Sequence, residues 1–293
     1  MIDSSLSFDL ALDILASALF VKSCLKSMPP LPIVILPSTE PLGGIMNIIN
    51  DYPHAELSNL TRERLMTAST ASLHTLLHKR GLKNTYIQGV GRMNDSQVKM
   101  VGQAYTLRYI PAREDLDVVA AFRDPEHPQR LAVESVPPGR VLVSDCRQDA
   151  SAASAGSILL TRLQVRECAG FVSDAGVRDS EYAESMSMPV FCTKPSAPTN
   201  LTKHHAVDIQ QPVGCGGVPV YPGDVLVGDG DGVIVVPLEL ADEVAEEAVG
   251  MEAFEDYVLD KVNAGAAVIG LYPPNEQAQE EYQAYLRRQE TRG

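Results

Sequence analysis

The chain has 293 residues, of which 45% are hydrophobic, 21% charged and 5% aromatic, with no tryptophan and a formal net charge of −14. That length and balance fit one large globular domain or two modest ones. The acidic charge argues against a general grip on phosphate backbones, and the few aromatics argue against a stacking surface for single-stranded nucleic acid, while a small anion at a local basic site stays compatible.

Residues 1–55 read as an N-terminal extension, with Pro29, Pro30, Pro32, Pro37 and Pro41 breaking its apolar pieces. Residues 6–25 fit a short helix and residues 30–36 an edge segment. Residues 10–24 are the membrane candidate, but Asp13 and Lys22 interrupt them and the run is too short to span a bilayer. No basic stretch precedes it, so a signal peptide is not expected. A cytoplasmic protein without a membrane or nucleic-acid partner is. The cysteines Cys24, Cys146, Cys168, Cys192 and Cys215 form no C-x-x-C pair. Reduced thiols are therefore expected, not a disulfide framework or a zinc site.

Ser58 is placed to cap one helix running through Thr61, Leu65, Ala68 and Leu73 to Leu77 and ending at Gly81. The hydroxyl and charged residues on its other face are expected to be solvated. Residues 98–110 are strand-like, with Gly102 marking a bulge or a close approach. Residues 111–138 carry Asp124-Pro125 and His127-Pro128 and read as a loop with at most a short helix at 116–122.

The stretch 141–181 organises the rest. A strand at 141–144 leads to Asp145 and Asp149, then to a helix beginning after Gly156 with Ile158, Leu159, Leu163 and Val165 on its buried side. A strand at 169–173 follows, then a turn with Asp174, Arg178 and Asp179. On a turn, neighbouring Arg178 and Asp179 can face one cavity. A guanidinium suits a carboxylate or carbonyl oxygen, and an aspartate suits a divalent cation. A surface ion pair is the commoner role for such a dipeptide. The helix start after Gly156 offers free amides to an anion.

Residues 188–192 form another strand. Residues 225–227 and 233–236 flank a glycine-rich turn and read as a hairpin. The runs at 214–217 and 228–232 match neither a phosphate-binding loop nor a calcium loop and are read as turns. Adjacent His204 and His205 diverge on a strand and are taken as surface or turn residues. Residues 238–263 are helical and acidic, and 280–288 form a second short helix.

The motifs VGQAYT at 101–106, GSIL at 156–159, GFVSDAGVRD at 170–179, PVF at 189–191, PGD at 222–224 and the run 231–237 occur in order. Together they resemble the RraA-like family over residues 60–265. That family includes 4-hydroxy-4-methyl-2-oxoglutarate aldolases, oxaloacetate decarboxylases and the regulator of ribonuclease E activity. The resemblance implies an α/β fold, a β/β/α swivelling-domain sandwich with helical N- and C-terminal flanks. It places a catalytic domain at 56–270 and a helical tail at 271–293.

It further implies a homotrimer or homohexamer with a metal-dependent lyase site at a subunit interface. That site would act on a small 2-oxo acid through an enolate. Arg178 would contact the pyruvyl portion, and Asp179 would ligate Mg²⁺ or Mn²⁺. The amides of Gly156, Ser157, Ile158 and Leu159 would hold the carboxylate, and Glu255 would come from the neighbouring subunit. The family's aldolases carry an acid immediately after the glycine, where this chain has Ser157. Asp145 or Asp149 could supply that carboxylate through water. A non-catalytic protein-binding regulator and a dehydratase-type lyase on a sugar-derived acid are the alternatives.

Overall fold

The computed structural model describes residues 55–94 and 99–290. The expected helix at 6–25, the edge segment at 30–36 and Cys24 lie outside them. A mixed sheet runs in the order β1 (Gly91–Arg92), β7 (Val190–Cys192), β5 (Gly170–Ser173), β3 (Arg140–Asp145), β2 (Met100–Pro111), β10 (Val225–Gly228) and β11 (Val233–Val236). Strand β9 (His204–Ile209) also pairs with β2. Strands β2, β3, β5 and β7 pair in parallel, and the others add antiparallel edges. A smaller parallel sheet joins β4 (Ala153–Ala155), β6 (Gly176–Val177) and β8 (Lys194–Pro195).

The central strands bury both faces, as parallel strands between layers must. Tyr105, Leu107, Leu142 and Phe171 pack under α3 (Pro128–Ser135), α4 (Ser157–Val165) and α5 (Ser180–Glu184). On the other face, Ala104, Val141, Val143, Val172 and Phe191 close around Val213, Cys215, Val218 and Val220 of the 213–220 loop. Helices α1 (Asn59–Thr67), α2 (Thr70–Lys79) and α6 (Leu238–Asn263) cover Val225, Val227, Ile234 and Val236. Each such side chain, fully buried, stabilises by about 1.5–3 kcal/mol. Helix α7 (Glu276–Glu290) docks on the second half of α6 through Tyr282 and Tyr285 against Phe254 and Tyr257. This nearly closed sheet with flanking helices is the α/β fold expected.

Several local expectations are corrected. The first helix is two. The chain is extended at Ala68 and at Ser69, which caps α2 through its own side chain. Glu252 accepts the Ser69 N–H (2.6 Å), and Asp229 accepts the Thr70 N–H (2.8 Å) and hydroxyl (2.7 Å). The hydroxyl face is therefore buried, with Thr61, Thr70 and Ser72 at 2–3% exposure and Thr61 donating to Asp242. The segment 111–138 holds a 3-10 turn (Val119–Arg123) and α3, whose first residue is Pro128. Proline suits that position because its missing N–H has no helical partner there anyway.

The buried side of α4 is Leu160 and Leu163, whereas Ile158 (83%) and Val165 (64%) are exposed. His204 is fully buried rather than on the surface, and its Nδ1 meets Arg147 Nη2 at 3.3 Å. Gly102 marks a close approach: a Cβ there would sit 2.7 Å from the Gly139 carbonyl. The irregularity in β2 falls instead between Arg108 and Tyr109. Cys146, Cys168, Cys192 and Cys215 are buried free thiols.

Candidate active site

The small sheet builds the edge of the site. Strands β4 and β6 pair side by side, and the Arg178 N–H donates to the Ala155 carbonyl (3.0 Å). The backbone leaving β4 at Gly156 thus runs beside the backbone leaving β6 at Arg178. Gly156 is the N-cap of α4 in extended backbone (φ −139°, ψ −176°), so any residue could adopt its conformation. What excludes other residues is space. A Cβ would lie 2.6 Å from Arg178 Cγ and 3.0 Å from Asp179 Oδ2, well inside a normal contact of about 3.5–4.0 Å.

Asp179 adopts the left-handed region (φ 57°, ψ 46°) and leads into α5. Aspartate is among the few non-glycine residues enriched there. The kink returns its carboxylate to the start of α4. The Ser157 hydroxyl (2.8 Å) and N–H (3.1 Å) both donate to Oδ2. Arg178 Nε stands 3.8 Å from Oδ1, and the two side chains are 47% and 43% exposed. The Ser157 hydroxyl, then its N–H, with a smaller contribution from Arg178, hold the Asp179 carboxyl below the ordinary aspartate range.

Gly156, Ile158, Leu159, Arg178 and Asp179 line one cavity of about 280 Å³. In the first turn of α4 the amides of Ile158 and Leu159 have no carbonyl within the helix to bond, and the helix dipole favours negative charge beside them. The rest of the wall is Ala153–Ala155 of β4, Gln129 and Arg130 of α3, Phe122, Thr199 and Asn200. These last five residues were missed by sequence reasoning. Pro128, a helix-start signal directly before Gln129, was the clue available for two of them.

Asp145, Asp149 and Glu255 do not line this cavity. Asp145 accepts the N–H groups of Arg147 and Gly214, both at 2.9 Å. Asp149 accepts the N–H of Ser151 (3.0 Å) and its hydroxyl. Glu255 accepts the hydroxyls of Ser72 (3.3 Å) and Tyr272 (2.7 Å). Asp174 binds the N–H groups of Cys146 (2.6 Å), Gln148 (3.0 Å) and Gly216 (3.0 Å). Asp145 and Asp174 therefore tie the glycine-rich 214–217 loop to the ends of the parallel strands. Burial pushes the Asp174 carboxyl up against the pull of those hydrogen bonds.

A hard cation such as Mg²⁺ takes oxygen ligands, retains several waters and needs one or two protein carboxylates. Asp179, half-exposed and held ionised, fits that use. Among the described residues, no group of three or more His, Cys, Asp or Glu is arranged as a metal site. The donor set therefore suits a water-rich cation resting on Asp179, not a dehydrated structural metal. No described helix is long and apolar enough to cross a membrane.

Comparison with known proteins bears on the same residues. A family model described as RraA-like, Aldolase/RraA, matches residues 70–235. A protein of Halalkalibacterium halodurans carrying the provisional name 4-hydroxy-4-methyl-2-oxoglutarate aldolase is 34% identical over 125 residues, 43% of this chain and 59% of that protein. Protein DlpA of Legionella pneumophila is 27% identical over 185 residues, 63% of this chain and 28% of its own length. The chain thus spans less than two thirds of either relative. Among solved structures, Streptomyces coelicolor RraAS2 is described as an unusual member of the RNase ES inhibitor RraA protein family. It superposes with a TM-score of 0.61 at 29% identity, covering 70% of this chain and 98% of that one. A Pseudomonas syringae protein of uncharacterised function gives 0.63 at 23% identity over 77% and 100% of the two chains, a likeness of fold.

Proposed function

The chain belongs to the RraA-like family, and from that premise we propose that it is a divalent-metal-dependent carbon–carbon lyase. Its substrates are 4-hydroxy-2-oxo acids, oxaloacetate or both. The observation that carries this reading is the convergence of Arg178, Asp179, Gly156 and the start of α4 on one small cavity.

The substrate carboxylate takes the amides of Ile158 and Leu159 and the positive end of the α4 dipole. Arg178 directs its guanidinium at the 2-oxo oxygen. As the C3–C4 bond breaks, its electron pair moves toward C2 and negative charge grows on that oxygen. Arg178 stabilises that charge more strongly than it does the neutral ground-state carbonyl. The other product is an aldehyde or ketone when the 4-hydroxyl loses its proton, or carbon dioxide when C4 is a carboxylate. A proton returned to C3 completes pyruvate. Ser157 keeps Asp179 ionised, and Gly156 leaves room for the Arg178 side chain. Mg²⁺ or Mn²⁺, held through Asp179, would supply Lewis acidity to the same oxygens. Assembly as a trimer or hexamer would be the route by which Glu255 of a neighbouring copy reaches the cavity.

The test is pyruvate release from oxaloacetate and from 4-hydroxy-2-oxo acids, with Mg²⁺ or with EDTA. Mg²⁺-stimulated release supports the lyase, and its absence across the panel overturns it. A non-catalytic protein-binding regulator is the second reading. It is favoured by the likeness to RraAS2 and by Ser157 standing where the family's aldolases carry an acid.

A further inference from the structure

A second cavity, of about 370 Å³, shares no lining residue with the candidate active site. It lies where the end of the 213–220 loop, the edge strand β11 and the start of α6 meet. Its walls are mainly apolar, with Leu82, Val218, Pro222 and Val235 among them. Two acids, Asp224 and Glu239, also line it, and among the described residues no base does. Pro222 and Asp224 belong to the PGD motif, which the chemistry above leaves unused.

Asp224 has an ordinary structural role. Its Oδ2 accepts the Tyr221 N–H (2.8 Å), and the Leu238 N–H at the start of α6 also draws on the carboxyl. Both donors are neutral. Among the described residues the charged group acting on Asp224 is Glu239, of like sign, and burial raises the carboxyl to about 6. At neutral pH the carboxylate therefore stands ionised in an apolar wall without a counter-ion among the described residues, a state that a cation from outside the chain would relieve.

Thr85 is an independent observation on the same cavity. It is 6% exposed, and its hydroxyl oxygen has no hydrogen-bond partner among the described residues. Its carbonyl accepts the Val235 N–H (2.8 Å), so the hydroxyl is the group left over. A buried polar atom without a partner is unfavourable and calls for one from outside the chain. Tyr221, 48% exposed, adds an aromatic ring to the wall, and ring faces attract cations.

We propose that this cavity binds a small organic cation, a protonated amine on a compact apolar body, with Asp224 as its counter-ion and the Thr85 hydroxyl as a hydrogen-bond acceptor. The apolar body covers Val218 and Val235. The ammonium, which carries donors and no acceptor, meets the carboxylate. An anion is repelled by both acids, and a neutral alcohol forgoes the charge-assisted bond. The site is separate from the lyase reading and stands or falls without it.

The test is ligand-observed NMR titration of the full chain at neutral pH with cyclohexylmethylammonium, cyclohexylmethanol and cyclohexanecarboxylate. These share one ring and differ in the charge of the head group. The wild type is expected to bind the ammonium about ten to a hundred times more tightly than the alcohol, the range of a charge-assisted hydrogen bond, and the carboxylate least. Asp224→Asn, which keeps an acceptor for the Tyr221 N–H, should bring the ammonium and the alcohol within about twofold of each other. Thr85→Val, close in shape, should weaken the ammonium by several fold, and it carries the test alone if Asp224→Asn does not fold. Equal affinity for the ammonium and the alcohol, no saturable binding of the ammonium, an ammonium preference surviving Asp224→Asn, or unchanged ammonium affinity in Thr85→Val would each overturn the proposal.

Discussion

Replacing Gly156 with alanine isolates the space requirement of the site. The added Cβ would fall 2.6 Å from Arg178 Cγ, against a normal separation of about 3.5–4.0 Å, so the arginine stem must move by about 1 Å. Because the backbone at Gly156 is extended, alanine introduces no conformational strain. Alanine is a poorer N-cap than glycine, which lowers stability by about 0.5–1 kcal/mol. In a domain of this size that is a drop of roughly 2–4 °C in the melting midpoint. A reacting group misplaced by about 1 Å can lose a hundredfold in rate. Gly156→Ala should therefore melt within a few degrees of the wild type while kcat/KM for pyruvate release falls by one to two orders of magnitude. Wild-type turnover in a folded Gly156→Ala protein would refute the argument that this close approach positions Arg178.

Other perturbations follow from the same geometry. Ser157→Ala removes the strongest of the three restraints on the Asp179 carboxyl, so the acid limb of a kcat/KM–pH profile should move to higher pH; an unmoved limb would separate Asp179 from that ionisation. Ser157→Asp restores the family's acid and should tighten Mg²⁺ binding, read by titration calorimetry; an unchanged or weaker affinity would contradict a cation resting on Asp179. Asp174→Ala removes the acceptor of three backbone N–H groups and should cost about 3 kcal/mol or more in urea denaturation, with activity lost in step with folded protein. Asp149→Asn, outside the cavity, should leave kcat/KM within about twofold.

Asp224 gives a prediction about pH and stability. Burial raises its carboxyl from 3.8 to about 6, so between those values the folded chain binds a proton that the unfolded chain has released. The stabilisation is present in full below the unfolded value and is lost as pH rises through the folded one. An asparagine can still accept the Tyr221 N–H (2.8 Å) without carrying a charge. Asp224→Asn should therefore raise the melting midpoint relative to wild type more at pH 7.5 than at pH 4.5, and an equal change at the two values would contradict the assignment.

Much of the fold was legible because local patterns agreed with the final packing. The strands at 141–144, 169–173 and 188–192 are apolar runs that the sheet buries on both faces, and helix 238–263 ends where its pattern ends. What escaped was set by tertiary partners. Ser58 and Ser69 are both sound N-caps, and Glu252 and Asp229, far along the chain, decide that both are used. Ile158 was placed inside, yet it lines the cavity at the exposed start of α4, while Leu160 and Leu163 face the core. For the site, the arginine–aspartate pair and the helix start were visible through ordered motifs. Arg130 follows the helix-start signal of Pro128 and Asn200 sits in a segment without a recognisable pattern; both reach the cavity only through the folding of α3 and of the turn before β9.

The most direct test of the central claim compares pyruvate formed from oxaloacetate and 4-hydroxy-2-oxo acids by wild type, Arg178→Ala and Asp179→Asn, each with Mg²⁺ and with EDTA. The lyase account predicts Mg²⁺-dependent release by the wild type, abolished by EDTA and reduced by at least about a hundredfold in either variant. Release that persists in EDTA, or that survives in both variants, would contradict it.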